Sequence, residues 1–341
     1  MKARENQTMK HMTVMILAVL SLCLTRVSAQ APAPPSVDEV AKKLGFSDAE
    51  IEQIKGGQIV NTDLKTGSDK ELAGVVVGFF KQPVSELVGV VMLGKLLEAD
   101  KSIQAFHVWK PDDSADEAFA ELGLNQTETG EARIFANASP GSKLNLSAAD
   151  IALFQGVFPS PLAVNVLLRT MLKARYEAYQ QGGLPAIAPY ARGGKKAASP
   201  AEELTLAIKE IIPADPRLDL FQALLRYPAN PLPDVAHRFY WFKREVDGRP
   251  TFILADRASR RTDTAALLTE VQFYVGHSYN ANFIASGCLA VEDGTLVFFV
   301  NRTFTDQVDG WGSGLKRNLG RAQMLFDVQA NLTRLREQLQ K

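Results

Sequence analysis

The chain contains little cysteine and little histidine, and this scarcity excludes several kinds of site. Its 341 residues include two Cys and four His. Cys23 lies in the apolar N-terminal segment, so Cys288 has no partner for a structural disulfide once that segment is removed. The small apolar neighbours of Cys288 are typical of a buried cysteine that packs as a small hydrophobic residue. The alternative is a nucleophile, for which His277 is the nearest histidine in sequence that could act as a base.

Motifs for metal, nucleotide or acyl-transfer chemistry are also lacking. Besides His11, the histidines are His107, His237 and His277, and no two of them have metal-ligand spacing. No HExxH, EF-hand loop, GxGxxG or GxSxG sequence occurs. We therefore expect neither a metal nor a cofactor.

The sequence has no excess of one charge. Lys and Arg together number 38, and so do Asp and Glu. The first 29 residues hold four of the basic residues and one of the acidic residues, so the rest of the chain carries a small net negative charge. Such a chain has no electrostatic preference for nucleic acid or for an anionic membrane surface, and we predict neither as a partner.

Residues 1–29 have the composition of a cleavable secretory signal peptide. Basic residues precede an apolar run from Met12 to Leu24, and small residues follow it. Val27 and Ala29 occupy the two positions that signal peptidase requires to be small, which predicts cleavage after Ala29. The run is shorter than the roughly 20 apolar residues of a transmembrane helix, although an uncleaved anchor is the alternative. We predict a periplasmic protein that starts at Gln30 and has no membrane span.

The hydrophobic pattern of the remaining chain predicts an α+β fold. Capping boxes at Ser36 and Ser47 begin two short helices, and a β-hairpin follows over residues 58–64 and 71–80. Five further strands with period-two alternation are predicted between His237 and Thr305. Residues of about 147–227 have helical patterns and lie between these two groups of strands.

The C-terminal segment has the pattern of a long amphipathic helix. From Leu315 to Leu339, apolar residues recur every three or four positions and form one stripe. We therefore predict that residues 30–341 form a single α+β domain. In this domain an antiparallel β-sheet packs against the long C-terminal helix, and the helical stretch at about 147–227 is an insertion.

Large apolar residues occur on both faces of the late strands, which indicates either a second covering layer or an enclosed cavity. Ligand pockets are mostly apolar with a few polar groups. The predicted ligand-binding residues are Trp241, Phe273, His277, Tyr279, Phe298 and Arg302. The structural alternatives are core packing for the aromatic rings, a hydrogen-bonded core histidine for His277 and an ion pair at a strand end for Arg302.

The order of these elements resembles the START-like, helix-grip superfamily. The resemblance rests on the hairpin, the helix that begins at Pro83, the antiparallel strands and the C-terminal helix, and residues 147–227 depart from it. In that superfamily a curved sheet wraps a long helix around an apolar cavity, so the resemblance implies binding or transfer of a hydrophobic ligand. It carries over no functional residue, because no residue motif of the family is matched.

Three functions are compatible with these features. We predict an exported soluble protein that binds a hydrophobic or amphipathic small molecule without catalysis. The alternative is an enzyme of the cyclase or hydrolase type that acts on a hydrophobic substrate with His277 as base. A histidine oriented by a carboxylate would favour the enzyme, and a purely apolar cavity would favour the binding protein. A structural protein with a filled core is the third possibility.

The signal peptide predicts where the mature chain begins. Chemical sequencing of the protein purified from its native cells should start at Gln30 or within two residues of it, because Val27 and Ala29 fit the peptidase. Recovery of a chain that still starts at Met1 from the membrane fraction would contradict export by cleavage.

Overall fold

The computed structural model describes residues 34–92, 102–110, 112–141, 143–194, 196–211, 220–229, 232, 234–308 and ten positions between 325 and 337. Residues Pro35–Lys341 form one compact unit. The predicted signal peptide, on which the predicted localisation rests, lies outside the described residues. Residues 309–324, which include the first part of the predicted C-terminal helix, also lie outside them.

Strands alternate with helices along the first two thirds of the chain and then form an uninterrupted series. The strands are β1 (Ile59–Asp63), β2 (Glu71–Phe80), β3 (Ile103–Val108), β4 (Tyr190–Ala191), β5 (Ala197–Ala198), β6 (Ala236–Val246), β7 (Arg249–Arg261), β8 (Ala265–Val275), β9 (Ala281–Val291) and β10 (Gly294–Phe304). The helices are α1 (Val37–Lys43), α2 (Asp48–Lys55), α3 (Val84–Met92), α4 (Ala115–Phe119), α5 (Thr129–Ala136), α6 (Ala148–Phe154), α7 (Pro161–Gly182), α8 (Pro200–Ile211) and α9 (Leu220–Arg226).

Eight of the strands form one antiparallel sheet in the order β1-β2-β10-β9-β8-β7-β6-β3. The predicted hairpin and the five predicted late strands are confirmed, and β6–β10 form a meander. Asp247 and Gly248 both have positive φ, as the two-residue turn between β6 and β7 requires. The hairpin extends the meander because β2 pairs with β10 along its whole length.

The middle helices cover one face of the sheet. The face contributed by β10 includes Leu296, Phe298 and Val300, which belong to the same buried cluster as the apolar side of α7. Helix α7 begins with Ser160 as N-cap and Pro161 at its first position, which is a strong helix start. Helix α8 contacts β8 and β9, α9 contacts β7, and α4, α5 and α6 contact α7.

The residue directly after α7 is a glycine that no other residue could replace without strain. Gly183 follows α7 with a φ of 61°, in the left-handed region that favours glycine. A Cβ atom at this position would lie 1.9 Å from the carbonyl oxygen of Tyr227. The end of α7 and the segment after α9 therefore approach each other at van der Waals distance.

The opposite face of the sheet packs against α3 and against helical residues near the C-terminus. Val84, Leu87 and Val88 of α3 share a buried cluster with Leu325 and Leu332. Polar contacts add to this packing: the Gln329 side chain donates to the Ile59 carbonyl oxygen at 3.0 Å, and Arg336 donates to the Phe79 carbonyl oxygen at 2.7 Å.

The predicted fold class is wrong in the position of its principal helix. The fold is α+β with an antiparallel sheet, but the longest described helix is α7, in the middle of the chain. At the C-terminus, helical residues are described only within 325–337. The physical reason is the width of the sheet. Eight strands span about 34 Å at a spacing of about 4.8 Å, whereas one helix with its side chains is about 10 Å wide. A single stripe cannot cover such a face.

A buried ion pair spans the β2–β10 contact. Arg302 and Glu71 are almost fully buried and hydrogen-bonded to each other. Glu71 also accepts from the backbone N–H of Gly67 at 2.7 Å, and Arg302 donates to the Lys65 carbonyl oxygen at 3.3 Å. The pair therefore also anchors the turn between β1 and β2.

Removing one partner of this pair should destabilise the protein strongly. Arg302→Met leaves the Glu71 carboxylate buried without a counter-charge, so we expect the free energy of unfolding in urea to fall by about 3–5 kcal/mol. The double variant Arg302→Met/Glu71→Leu should recover most of this loss. The control is Lys173→Met, which breaks a pair with exposed Asp116 and should cost less than about 1 kcal/mol. If Arg302→Met and Lys173→Met lower the free energy of unfolding equally, the buried pair is no more important for stability than an exposed one, and the prediction is wrong.

Candidate functional site

A cleft of about 670 Å³ lies where the end of β3, the start of β6 and one side of α7 meet. We call it the aromatic cleft. Its walls combine aromatic rings with charged groups, and its principal lining residues are Trp109, Lys110, Asp113, Tyr176, Glu177, His237, Arg238 and Phe239. The volume lies within the range of about 300–1,000 Å³ that is usual for small-molecule sites.

Three rings form the apolar part of the aromatic cleft. Trp109 stacks on Tyr176 with ring centroids 4.4 Å apart, and Tyr176 meets Phe239 edge to face at 5.3 Å. Each ring comes from a different element, because Trp109 follows β3, Tyr176 lies on α7 and Phe239 lies on β6. The mutual packing of the rings fixes their orientation before any ligand binds.

The cleft also contains a histidine that a buried carboxylate holds in place. Strand pairing sets Phe239 opposite Asp256, so His237, two residues before Phe239, is the diagonal neighbour of Asp256 on the same face. The Nδ1 atom of His237 lies 3.1 Å from Oδ2 of Asp256, and the Tyr179 hydroxyl donates to the same oxygen at 3.2 Å. Tyr227 packs against the imidazole with centroids 4.8 Å apart.

This arrangement determines the tautomer of His237. An ionised carboxylate only accepts hydrogen bonds, so Nδ1 of His237 carries a hydrogen and donates it to Asp256. In the neutral ring the lone pair is then on Nε2. Within the part of the chain that the structure describes, Nε2 has no hydrogen-bond partner. The His237 side chain is 17% exposed, whereas that of Asp256 is fully buried.

The neighbouring tyrosines are neutral hydrogen-bond donors. Burial, together with the charge of Asp256, raises the pKa of Tyr227 to about 12. Burial raises the pKa of Tyr179 well above its ordinary value, and the charge of Asp256 and its hydrogen bond add to this effect. Both hydroxyl groups are therefore protonated near neutral pH.

A second cleft, of about 350 Å³, is polar and contains His277. Its walls include Asn145, Arg192, Arg249 and Asp306. The His277 ring is almost fully buried, and its two nitrogens lie 2.6 Å from the Thr251 hydroxyl and 2.7 Å from the Ser278 hydroxyl. Burial, assisted by the charge of Arg249, lowers the pKa of His277 to about 4. His277 is therefore uncharged at neutral pH, and its role as a base stays a prediction.

The six residues predicted to bind a ligand do not line one common cleft. Trp241 and Phe273 lie beneath the aromatic cleft: the Trp241 indole donates to the Ala118 carbonyl oxygen at 2.6 Å, and Phe273 stacks face to face on Tyr179 at 4.1 Å. Their four companions are in different surroundings. His277 lines the polar cleft, Tyr279 donates to the Gln272 side chain, Phe298 lies in the core, and Arg302 is paired with Glu71.

Sequence reasoning missed Trp109, Tyr176 and the pairing of His237 with Asp256. The period-two pattern already places His237 and Phe239 on one strand face. Asp256 could be assigned to that face only with the register of β6 and β7, which a hydrophobic pattern does not give. The turn between these strands, Asp247-Gly248, is the one sequence signal that fixes their register.

No protein-family model, curated protein or solved structure matches the chain. In the part that the structure describes, every helix falls short of the length and apolarity that a bilayer crossing requires. The same residues contain no cluster of three or more His, Cys, Asp or Glu side chains placed to hold a metal ion.

Acidification should destabilise the protein through His277. The unfolded state binds a proton at a pKa near 6.5, whereas the folded state resists protonation down to about 4. Stability from this group is therefore complete above about pH 6.5 and declines as the pH falls towards 4, by about 1.4 kcal/mol per unit. Urea unfolding of wild type and His277→Gln should show a difference that shrinks over this interval.

The difference between the two proteins is informative because Glu203 has the opposite effect. Burial raises the pKa of Glu203 to about 7, so its contribution to stability is present below pH 4.5 and is lost as the pH rises towards 7. A Glu203→Gln background removes this opposing slope. A constant stability difference between wild type and His277→Gln from pH 7 to pH 4.5 would rule out a neutral buried His277.

Proposed function

We propose that the protein is an exported binding protein whose aromatic cleft takes an amphipathic small molecule with a planar ring. The observation that carries this proposal is the set of three packed rings at a cleft of about 670 Å³. Aromatic rings bind planar apolar groups by stacking and edge-to-face contact, and each such pair adds about 0.5–1.5 kcal/mol beyond burial.

The polar groups of the cleft argue for an amphipathic ligand. Lys110 and Arg238 provide positive charge on its walls, and Asp113 and Glu177 provide negative charge. Hydrogen bonds from the Lys110 backbone and from His107 lower the pKa of Asp113, so this carboxylate is ionised and already occupied. His237 also lines the cleft, two residues before Phe239 on β6. A ligand that is only apolar would leave these groups unused.

The layer between the sheet and α7 is a less suitable place for a ligand. Phe273 and Tyr179 are stacked with an interplanar angle of 3°, and Leu168 and Leu172 are completely buried in the same cluster. Close packing of this kind leaves no room for a molecule. The predicted binding of a hydrophobic or amphipathic molecule is therefore proposed at the open end of this layer. The START-like resemblance stays a prediction and assigns no residue to the cleft.

The proposal can be tested by filling the cleft. Ala115 lies on its wall at the start of α4 and is only partly exposed. Ala115→Phe should occupy the space in front of the rings and weaken binding of anilinonaphthalene sulfonate, a fluorescent amphipathic ring compound, by at least about tenfold, or 1.4 kcal/mol. Fluorescence titration measures this loss, and the melting temperature should change little because the new ring points into open space.

The matched control is Ala120→Phe, the same substitution at an exposed position just after α4. It should bind the probe like wild type. Absence of probe binding by the wild-type protein, or an equal loss in both variants, would remove the aromatic cleft as the binding site.

A further inference from the structure

We infer that the aromatic cleft is a proton-transfer site, in which His237, oriented by Asp256, removes the proton of an acidic hydroxyl group on the bound ring. The ligand class is a phenol or an enol, since these are planar groups with an acidic O–H. The inference rests on the proposed function, because it requires that a ring binds in the cleft. It adds an activity to binding and assigns it to a histidine other than His277.

Asp256 differs from the other buried acids in its partners. In the described residues, four carboxylates are almost fully buried: Glu71, Glu131, Asp256 and Glu270. Three of them are paired with an arginine, namely Arg302, Arg249 and Arg257, respectively. Neither Lys nor Arg pairs with Asp256 in this part of the chain, and its partners are His237 and the Tyr179 hydroxyl.

This difference has a direct chemical consequence. A buried carboxylate is strongly stabilised by a counter-charge at hydrogen-bond distance. Among the residues that the structure describes, the side chain paired with Asp256 that can become positively charged is His237, and it does so when Nε2 takes up a proton. Asp256 therefore favours the protonated product of the transfer, as well as fixing the orientation of the ring.

The position of the acceptor atom also favours His237 as the base. Nδ1 donates to Asp256 and Tyr227 covers one face of the imidazole, so the ring cannot rotate freely. Nε2 remains as the acceptor on a side chain that lines the cleft next to Phe239. The inferred step requires that a ring stacked on the cleft aromatics presents its hydroxyl to Nε2.

The transfer itself involves one proton and no other reactant. The O–H bond of the ligand breaks, an N–H bond forms at Nε2, and the electron pair of the broken bond stays on the oxygen. The products are an imidazolium paired with Asp256 and a phenolate or enolate in a cleft whose walls also carry Lys110. No Ser, Thr or Cys is among the residues that line the cleft, so attack on the ligand by one of these three residue types is not part of the inferred step.

Several titratable or charged groups surround His237 and bear on the pH dependence of this step. They come from β7, α7, the segment after α9, β6, and β3 with the region after it. They are Asp256, Tyr179, Tyr176, Glu177, Tyr227, Arg238, Lys110, Asp113 and, through its pairing with Asp113, His107. The tyrosines are protonated near neutral pH, because burial raises the pKa of each. The separate variants His237→Gln and His107→Gln show which histidine accounts for a change of protonation.

Para-nitrophenol is a suitable probe because its phenolate is yellow and its neutral form is almost colourless. At a pH where the free compound is mostly neutral, wild-type protein should raise the ratio of phenolate to phenol in the bound fraction by about tenfold, the equivalent of one pKa unit. His237→Gln should still bind the compound but abolish this increase, and Asp256→Asn should reduce it. Calorimetry measures binding, and absorbance measures ionisation.

Two controls separate proton transfer from binding and from general charge effects. Para-nitroanisole has the same ring without the acidic proton and should bind equally well to wild type and His237→Gln. His107→Gln removes a second histidine of the same aromatic region, one that is paired with Asp113 and stacked on Trp241, and should leave the ionisation unchanged.

The outcomes distinguish the two proposals. If neither compound binds to the wild-type protein, the binding site and the proton transfer both fail. If both compounds bind but the ionisation of para-nitrophenol equals that in water, the proton transfer fails and the binding site stands. If ionisation increases equally in wild type and His237→Gln, the positive charges of the cleft cause it and the assignment to His237 is overturned.

Discussion

The pairing of β2 with β10 is the contact on which both layers of the molecule depend. It joins the N-terminal hairpin to the last strand of the meander, from Thr295 to Phe304, and makes a sheet of eight strands out of two separate groups. The wide sheet has two apolar faces, and each must be covered. The buried ion pair of Glu71 and Arg302 lies across this junction. The free energy needed to desolvate these two charges is therefore spent at the place where the two groups of strands meet.

The aromatic cleft lies where the helices no longer cover the sheet completely. The middle helices pack closely over the inner strands, where Tyr179 and Phe273 stack and no space remains. At the outer strands β6 and β3 the cover is less complete, and the side of α7 faces strand ends instead of a continuous surface. Trp109 and Phe239 are partly exposed there, whereas Tyr176 behind them is buried. A site of this kind arises at the border of a core, where apolar groups and water-accessible polar groups lie close together.

Much of the secondary structure could be predicted from the sequence because its signals are local. The capping boxes at Ser36, Ser47 and Ser147, the proline at the start of α7 and the turn at Asp247-Gly248 each act within a few residues. Which helix covers the sheet is not a local property. The stripe from Leu315 to Leu339 predicts an amphipathic helix, but it contains no information on the area that has to be covered.

The candidate site shows the same division between local and distant information. Alternation along β6 identifies the face that carries His237, whereas its partner Asp256 follows from the register with β7, and Trp109 and Tyr176 come from elements far away in sequence. The alternating pattern around His277 makes it a candidate in the sequence. Only the fold shows that hydroxyl groups surround its ring and that burial lowers its pKa. A site formed by a pair of residues can be identified only when the distance between the two residues is known.

The close approach of Gly183 to Tyr227 makes the cleft sensitive to a position outside its walls. Any side chain at residue 183 would collide with the Tyr227 carbonyl oxygen and displace the backbone that carries this ring. The Tyr227 ring in turn holds the imidazole of His237 in position. A single methyl group added at the end of a helix could therefore disturb the acceptor nitrogen while every residue that lines the cleft is retained. In a genetic screen, a substitution at residue 183 would have the same effect as loss of His237. Surface residues around the cleft would tolerate substitution better than residue 183 does.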